Sequence, residues 1–345
     1  MLSRTAPLCA TLLVGLWTLS NTPAPDELDL SLRIEQGQSF TVSSTSELEL
    51  VLDDLSVLID GAEVLGAGVG YEMLMNIDER QTIDVMTMEE GHVAAFRRTL
   101  DEQRGRVEVS VDAMGNSDQF EESIDYPREG RTFEVRRGED GEVSATDVSE
   151  GFEERLPRQT LPEAALRPLL DEFLPAEPVA LGETFDLTGQ WRTWVEALNE
   201  QGLGDLEGAG LTDEQVAALE GLSDTVGEAL TVEAEGKVTS VVEGIATIEY
   251  EISGAMELED LMALGAALLP QGTDLPPGIE ASMLMGLELA GKGSFDLAAG
   301  QLIVLELEGE MSAELDGSAD LDGTSAEAAA ALSGTWRMRT EVGVD

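Results

Sequence analysis

The chain has 345 residues, 42% of them apolar, which is enough for one large domain or two small ones with a substantial core. Aromatics make up only 4%, so the core is expected to be largely aliphatic. With 70 Asp and Glu against 19 Lys and Arg the formal charge is −51. That field repels phosphate backbones and excludes nucleic acid as a partner.

In chain order, residues 1–24 read as a signal peptide. Arg4 precedes the apolar run "APLCATLLVGLWTL", and small residues at Ser20, Thr22 and Ala24 offer a cleavage point between Ser20 and Ala24. Cys9 lies near the start of that run behind Leu8, the wrong place for a lipoprotein anchor. No later segment is apolar enough to span a bilayer as a helix, so the mature chain is expected to be exported and soluble, without a transmembrane segment and without cysteine. The final compartment is a periplasm, a cell surface or the medium.

From residue 25 onward the chain repeats itself. "GQSFTV" (37–42), "EGHVAAFRR" (90–98) and "TFEVRRGEDGEV" (132–143) recur in the same order as "GETFDL" (182–187), "EGIATIEYE" (243–251) and "SFDLAAGQL" (294–302). This predicts a tandem duplication: a first β unit over 25–160, a linker helix over 161–181 and a second β unit over 182–345. Period-two alternation supports strands, as in Phe40, Val42, Leu48, Leu50 and Leu52, with Ser44 and Ser46 interrupting the apolar row. "YEMLMNI", "RVEVSV" and "TWRMRTEVGV" alternate likewise, and "GEDGEV" and "LAAGQL" supply hairpin turns. Helices are predicted at "LPEAALRPLLDEF" with Thr160 as cap, at "LTDEQVAALEGL", at "ELEDLMALGAALL" (257–269) and at "TSAEAAAALSG" (324–334). The fold class is therefore mainly β with helical insertions. Two tandem, related, antiparallel curved β-sheet units form half-barrels or one barrel-like sheet.

Candidate chemistry is sparse. The only histidine, His92, aligns with Ile245 of the second copy, which favours a strand-packing role over that of a general base. "GLELAGKGS" (286–294) has the spacing of a phosphate-binding loop, but it alternates like a strand and lacks the Ser or Thr after the lysine. Asp316, Asp320 and Asp322 are weak calcium candidates, better read as a turn before a helix; no other cofactor is expected. Trp191 and Trp194 in "QWRTW" are expected on a strand, facing opposite sides. The 12 methionines, several paired as in Met73/Met75 and Met283/Met285, are read first as core filling and second as the lining for an apolar ligand.

"LPAEPVALGETFDL" (174–187), with "KVTSVVEGIATIEYEISG" and "GKGSFDLAAGQLIVLELEGEM", resembles an uncharacterised family of exported bacterial proteins and lipoproteins with a repeated β-rich domain of unknown function. The resemblance implies an envelope or extracellular location and nothing catalytic. The expected function is that of a non-enzymatic envelope or extracellular protein holding an apolar ligand or partner on the concave aliphatic face of a curved sheet. A secreted, carboxylate-dependent hydrolase is the alternative.

Overall fold

A computed structural model describes residues 27–65, 69–89, 92–113, 116–124, 126, 128–138, 141–152, 155–156, 158–161, 166, 169–193, 229–258, 279–321 and 324–344. These are almost entirely antiparallel strands. The first half holds β1 (Ser39–Ile59), β2 (Ala62–Leu65), β3 (Val69–Glu89), β4 (His92–Ala113), β5 (Asn116–Ile124), β6 (Thr132–Arg137), β7 (Val143–Asp147) and β8 (Gln159–Leu161). The second half holds β9 (Thr184–Asp186), β10 (Leu230–Val242), β11 (Ile245–Leu258), β12 (Ile279–Asp296), β13 (Gln301–Leu321) and β14 (Thr324–Val344). All join one curved 14-stranded sheet in the order β8-β7-β6-β4-β3-β1-β14-β13-β12-β11-β10-β9, with β2 and β5 attached to β1 and β4. The two halves meet where β1 pairs with β14, from Phe40 opposite Val344 to Ile59 opposite Ala326.

The two predicted hooks share their local geometry. Gly37 and Gly182 have φ +87° and +85°, a left-handed conformation open to glycine. Their N–H groups donate to Val85 O and Val238 O, both at 2.8 Å. One residue on, Gln38 Oε1 accepts from the Glu35 N–H at 2.6 Å, and Glu183 Oε2 accepts from the Ala180 N–H at 2.7 Å. Phe40 and Phe185 follow, both buried.

Buried side chains gather on one face of the sheet in two clusters. The first packs Ile248, Tyr250, Leu289, Phe295 and Leu305 beneath Leu28, Leu30, Phe173 and Trp191. Phe173 meets Trp191 and Tyr250 edge-on at 5.3 and 5.8 Å, and the Tyr250 hydroxyl donates to Phe173 O at 3.1 Å. Burial pushes the Tyr250 phenol pKa well above its usual value. The few aromatics thus sit at the cluster centre, and the core is less purely aliphatic than composition predicts. The second cluster packs Phe40, Val42, Ile83, Val85 and Phe96 against Val135, Val143, Leu166 and Leu169, and Leu32 and Leu170 touch both clusters. Each fully buried Leu or Phe contributes about 1.5–3 kcal/mol.

Three expectations are corrected. "TSAEAAAALSG" is strand, not helix: β14 is hydrogen-bonded between β1 and β13 along this stretch, and a ladder on both sides outweighs alanine's helix propensity. A β-carbon on Gly334 would collide with Glu49 O of β1, so this close approach needs glycine. At 161–173 the described residues form only a 3-10 turn over Asp171–Phe173, and Thr160 lies in β8 rather than capping a helix. Trp191 sits in a helical turn, its N–H donating to Leu187 O at 2.9 Å, not on a strand. "LTDEQVAALEGL" and most of 257–269 lie outside the described residues, as does Trp194.

Beyond β7 the chain is pinned by Asp147, whose side chain is fully buried. Its carboxylate accepts from Arg131 Nη1 at 2.7 Å, from the Leu156 N–H at 2.9 Å and from the Ser149 N–H and hydroxyl. Burial acts to raise the Asp147 pKa, but these hydrogen bonds outweigh it and hold the carboxyl far below its usual range. A depressed pKa stabilises the fold above the unfolded value, near 3.9, and that contribution disappears as pH falls through the folded one. Asp147→Asn should therefore cost about 2–3 kcal/mol in urea unfolding at pH 7, with the difference from wild type shrinking below about pH 4.

Candidate functional site

Strand pairing sorts every side chain of the long strands onto one of two faces, and the cluster-bearing face changes character along the strands. Nearest the strand ends where Glu89 pairs with His92 and Val242 with Ile245 it is buried core. Next comes a polar row in register across four strands: Gln103 of β4, Glu79 of β3, Ser44 of β1 and Thr340 of β14. Glu79 accepts from Arg98 Nη2 at 3.1 Å and from Gln103 Nε2 at 2.9 Å. Ser44 and Thr340 share a hydrogen bond at 3.1 Å, and one row further out Trp336 Nε1 donates to Ser46 Oγ at 2.9 Å.

Two neighbouring groups register the field of this row. Burial, then the Glu79 charge, raises the Tyr126 phenol pKa. Burial, then the Arg98 charge, lowers that of the Arg128 guanidinium. Gln81 Oε1, Gln103 Oε1 and Arg98 Nε are buried with no hydrogen-bond partner. Each such atom costs about 1–3 kcal/mol, so the row and the residues just inward of it are not arranged for stability alone.

Beyond the polar row the same face turns aliphatic. Val109, Met73, Leu50, Met311, Leu287 and Val232 fall in a single row across eight strands, with Gly334 and Gly254 between them. At about 4.8 Å per strand that row is roughly 34 Å wide. Further rows follow, with Leu52, Leu332, Ala313, Met285 and Met256 in the next. These side chains are only half-buried; Val232 and Leu287 pack against the first cluster, and the others named belong to neither.

The opposite face is charged. Arg337 pairs with Glu47 at 2.9 Å, Arg339 with Glu306, and Lys292 with Glu249 at 3.7 Å, all about half exposed and individually worth little. Glu235 lies directly across from Glu251, and Glu288 from Glu310, like-charge neighbours that destabilise the sheet. Grooves of about 950 and 900 Å³ cross the strands here, between rows that include Glu47, Arg337, Glu308 and Glu251. The described clefts thus lie on the charged face, which corrects the expectation that the aliphatic face supplies the concavity.

The other candidates scatter. His92 opens β4, exposed, opposite Glu89; Ile245 opens β11 at the matching place, opposite Val242. Asp316 and Asp320 lie four residues apart on β13, about 13 Å along an extended strand and too far to share one cation, and Asp322 is outside the described residues. Among the described residues no three His, Cys, Asp or Glu groups converge as a metal-ligand set. "GLELAGKGS" lies within β12. Met73, Met75, Met283 and Met285 all point to the aliphatic face rather than into a cluster. The polar row escaped sequence reading except at Ser44 and Ser46, where the alternation visibly breaks; Ile77-Glu79-Gln81-Ile83 carries the same break in β3.

No protein-family model and no curated protein matches the chain. Among solved structures, an outer membrane channel from Pseudomonas putida F1 is 9% identical, covering 93% of this chain and 99% of its own, at TM-score 0.20. Pseudomonas aeruginosa OccK7 (OpdD) is 8% identical over 88% and 99%, at TM-score 0.23. No described helix is long and apolar enough to cross a membrane.

His92→Gln should leave stability within about 1 kcal/mol in chemical denaturation, as for an exposed residue at a strand end.

Proposed function

We propose that this chain is an exported, non-enzymatic envelope protein built from two related β units, 25–160 and 182–345, that holds an apolar ligand such as an acyl chain against its aliphatic face. The observation that carries this reading is the run of half-buried apolar side chains, among them Leu50, Met73, Val109, Met311 and Met285, that pack against neither core cluster. Contiguous apolar area of this kind marks a ligand or partner surface, because covering it gains about 25 cal/mol per Å². Methionines at its centre suit ligands of irregular shape. The leader-like residues 1–24 support export.

Diphenylhexatriene, a hydrocarbon probe, should gain fluorescence on binding the wild-type protein. Met73→Asp combined with Met285→Asp should weaken uptake about tenfold or more, since a carboxylate there is desolvated by the probe. Glu308→Lys on the charged face should leave uptake unchanged. Absence of uptake by wild type, or equal loss in both variants, would overturn the reading. N-terminal sequencing of the exported protein should find a start between Asn21 and Pro25.

A further inference from the structure

At the border between core and aliphatic rows, Gln103 in the polar row, Gln81 one row inward and Arg98 two rows inward carry three unpaired atoms of complementary kinds. Arg98 Nε is a donor, and Gln81 Oε1 and Gln103 Oε1 are acceptors. Both Glu79 oxygens are already engaged, one by Arg98 Nη2 and one by Gln103 Nε2, so the carboxylate does not satisfy the remaining donor. Gln103 and Glu79 face each other across β3 and β4, and the next rows outward carry Ile77 and Ser46, then Met75 and Leu48. A set that both donates and accepts matches hydroxyl groups. A carboxylate head only accepts, and an ammonium head only donates.

We infer that the polar row and the two rows inward of it on β3 and β4 form the head-group end of the ligand site: an amphiphile with a hydroxyl-bearing head lies with its acyl chain along the aliphatic rows and its hydroxyls among Gln81, Gln103 and Arg98. The inference rests on the reading that the aliphatic face takes an apolar ligand, and it adds which end of the ligand points where. The three residues remain half-buried as whole side chains, so changes in their side-chain torsions present the unpaired atoms to a head group. Acyl glycerols and acylated sugars share this chemistry.

The test is displacement of diphenylhexatriene from the mature chain by monopalmitoylglycerol and by methyl palmitate, which carry the same acyl chain with and without hydroxyls. Wild type should prefer monopalmitoylglycerol about tenfold, the worth of one buried hydrogen bond. Gln81→Leu should reduce that preference while leaving probe affinity and thermal stability intact or higher, since an unpaired acceptor is removed. Arg98→Lys, which keeps the charge beside Glu79 and removes Nε, should reduce the preference in the same direction. Equal affinities in wild type, or a preference that survives both variants, overturns the head-group assignment and leaves the apolar site standing. A wild type that takes up no probe overturns the apolar site and this inference with it.

Discussion

The pairing of β1 with β14 is the constraint on which the rest depends. It joins the first long strand to the last and makes one sheet of two halves. A slip of one residue in this ladder would send every side chain of one half to the other face. Specific contacts fix the register: Gly334 admits Leu50 and the Glu49 carbonyl, Trp336 reaches Ser46, and Arg337 reaches Glu47. A bulge between Leu52 and Asp54 keeps Leu55 and Val57 on the aliphatic face opposite Ala330 and Ala328.

With that register set, the two clusters fall on the same face and are covered by the same two segments, around Leu28–Leu32 and Leu166–Trp191. Packing is finished within the strand ends nearest the hairpins, yet β1, β3, β13 and β14 each run for 21 residues. The excess length carries apolar side chains, such as Leu50, Met73 and Met311, that neither cluster uses. An antiparallel sheet tolerates one solvated face, but that face is ordinarily the polar one. Here both faces of the overhang are partly open, and the apolar one is the feature that a stability argument leaves unexplained.

The acidity has a separate logic. Carboxylates crowd the charged face even where strand pairing sets them directly opposite one another, as at Glu235 and Glu251. Such pairs weaken the sheet slightly and keep molecules apart, which protects a chain with exposed strand edges and apolar rows from self-association. Asp147 shows the contrasting use of a carboxylate: buried, hydrogen-bonded on both oxygens, it ties the loop after β7 to Arg131.

Alternation in the sequence by itself determined that these segments are strands, which side chains share a face, and where glycine turns them, because period two and left-handed turns are local properties. The hooks at Gly37 and Gly182 and the matching hairpin positions of His92 and Ile245 were legible for the same reason. Tertiary structure alone decided the state of 324–334, where ladders on both sides override a helical composition. It alone decided which strands meet, because β1 and β14 lie nearly the whole chain apart. The polar row was hidden for that reason too: Gln103, Glu79, Ser44 and Thr340 are ordinary residues in their own segments, and only strand order and register, which no local pattern encodes, bring them into one line beside the aliphatic rows.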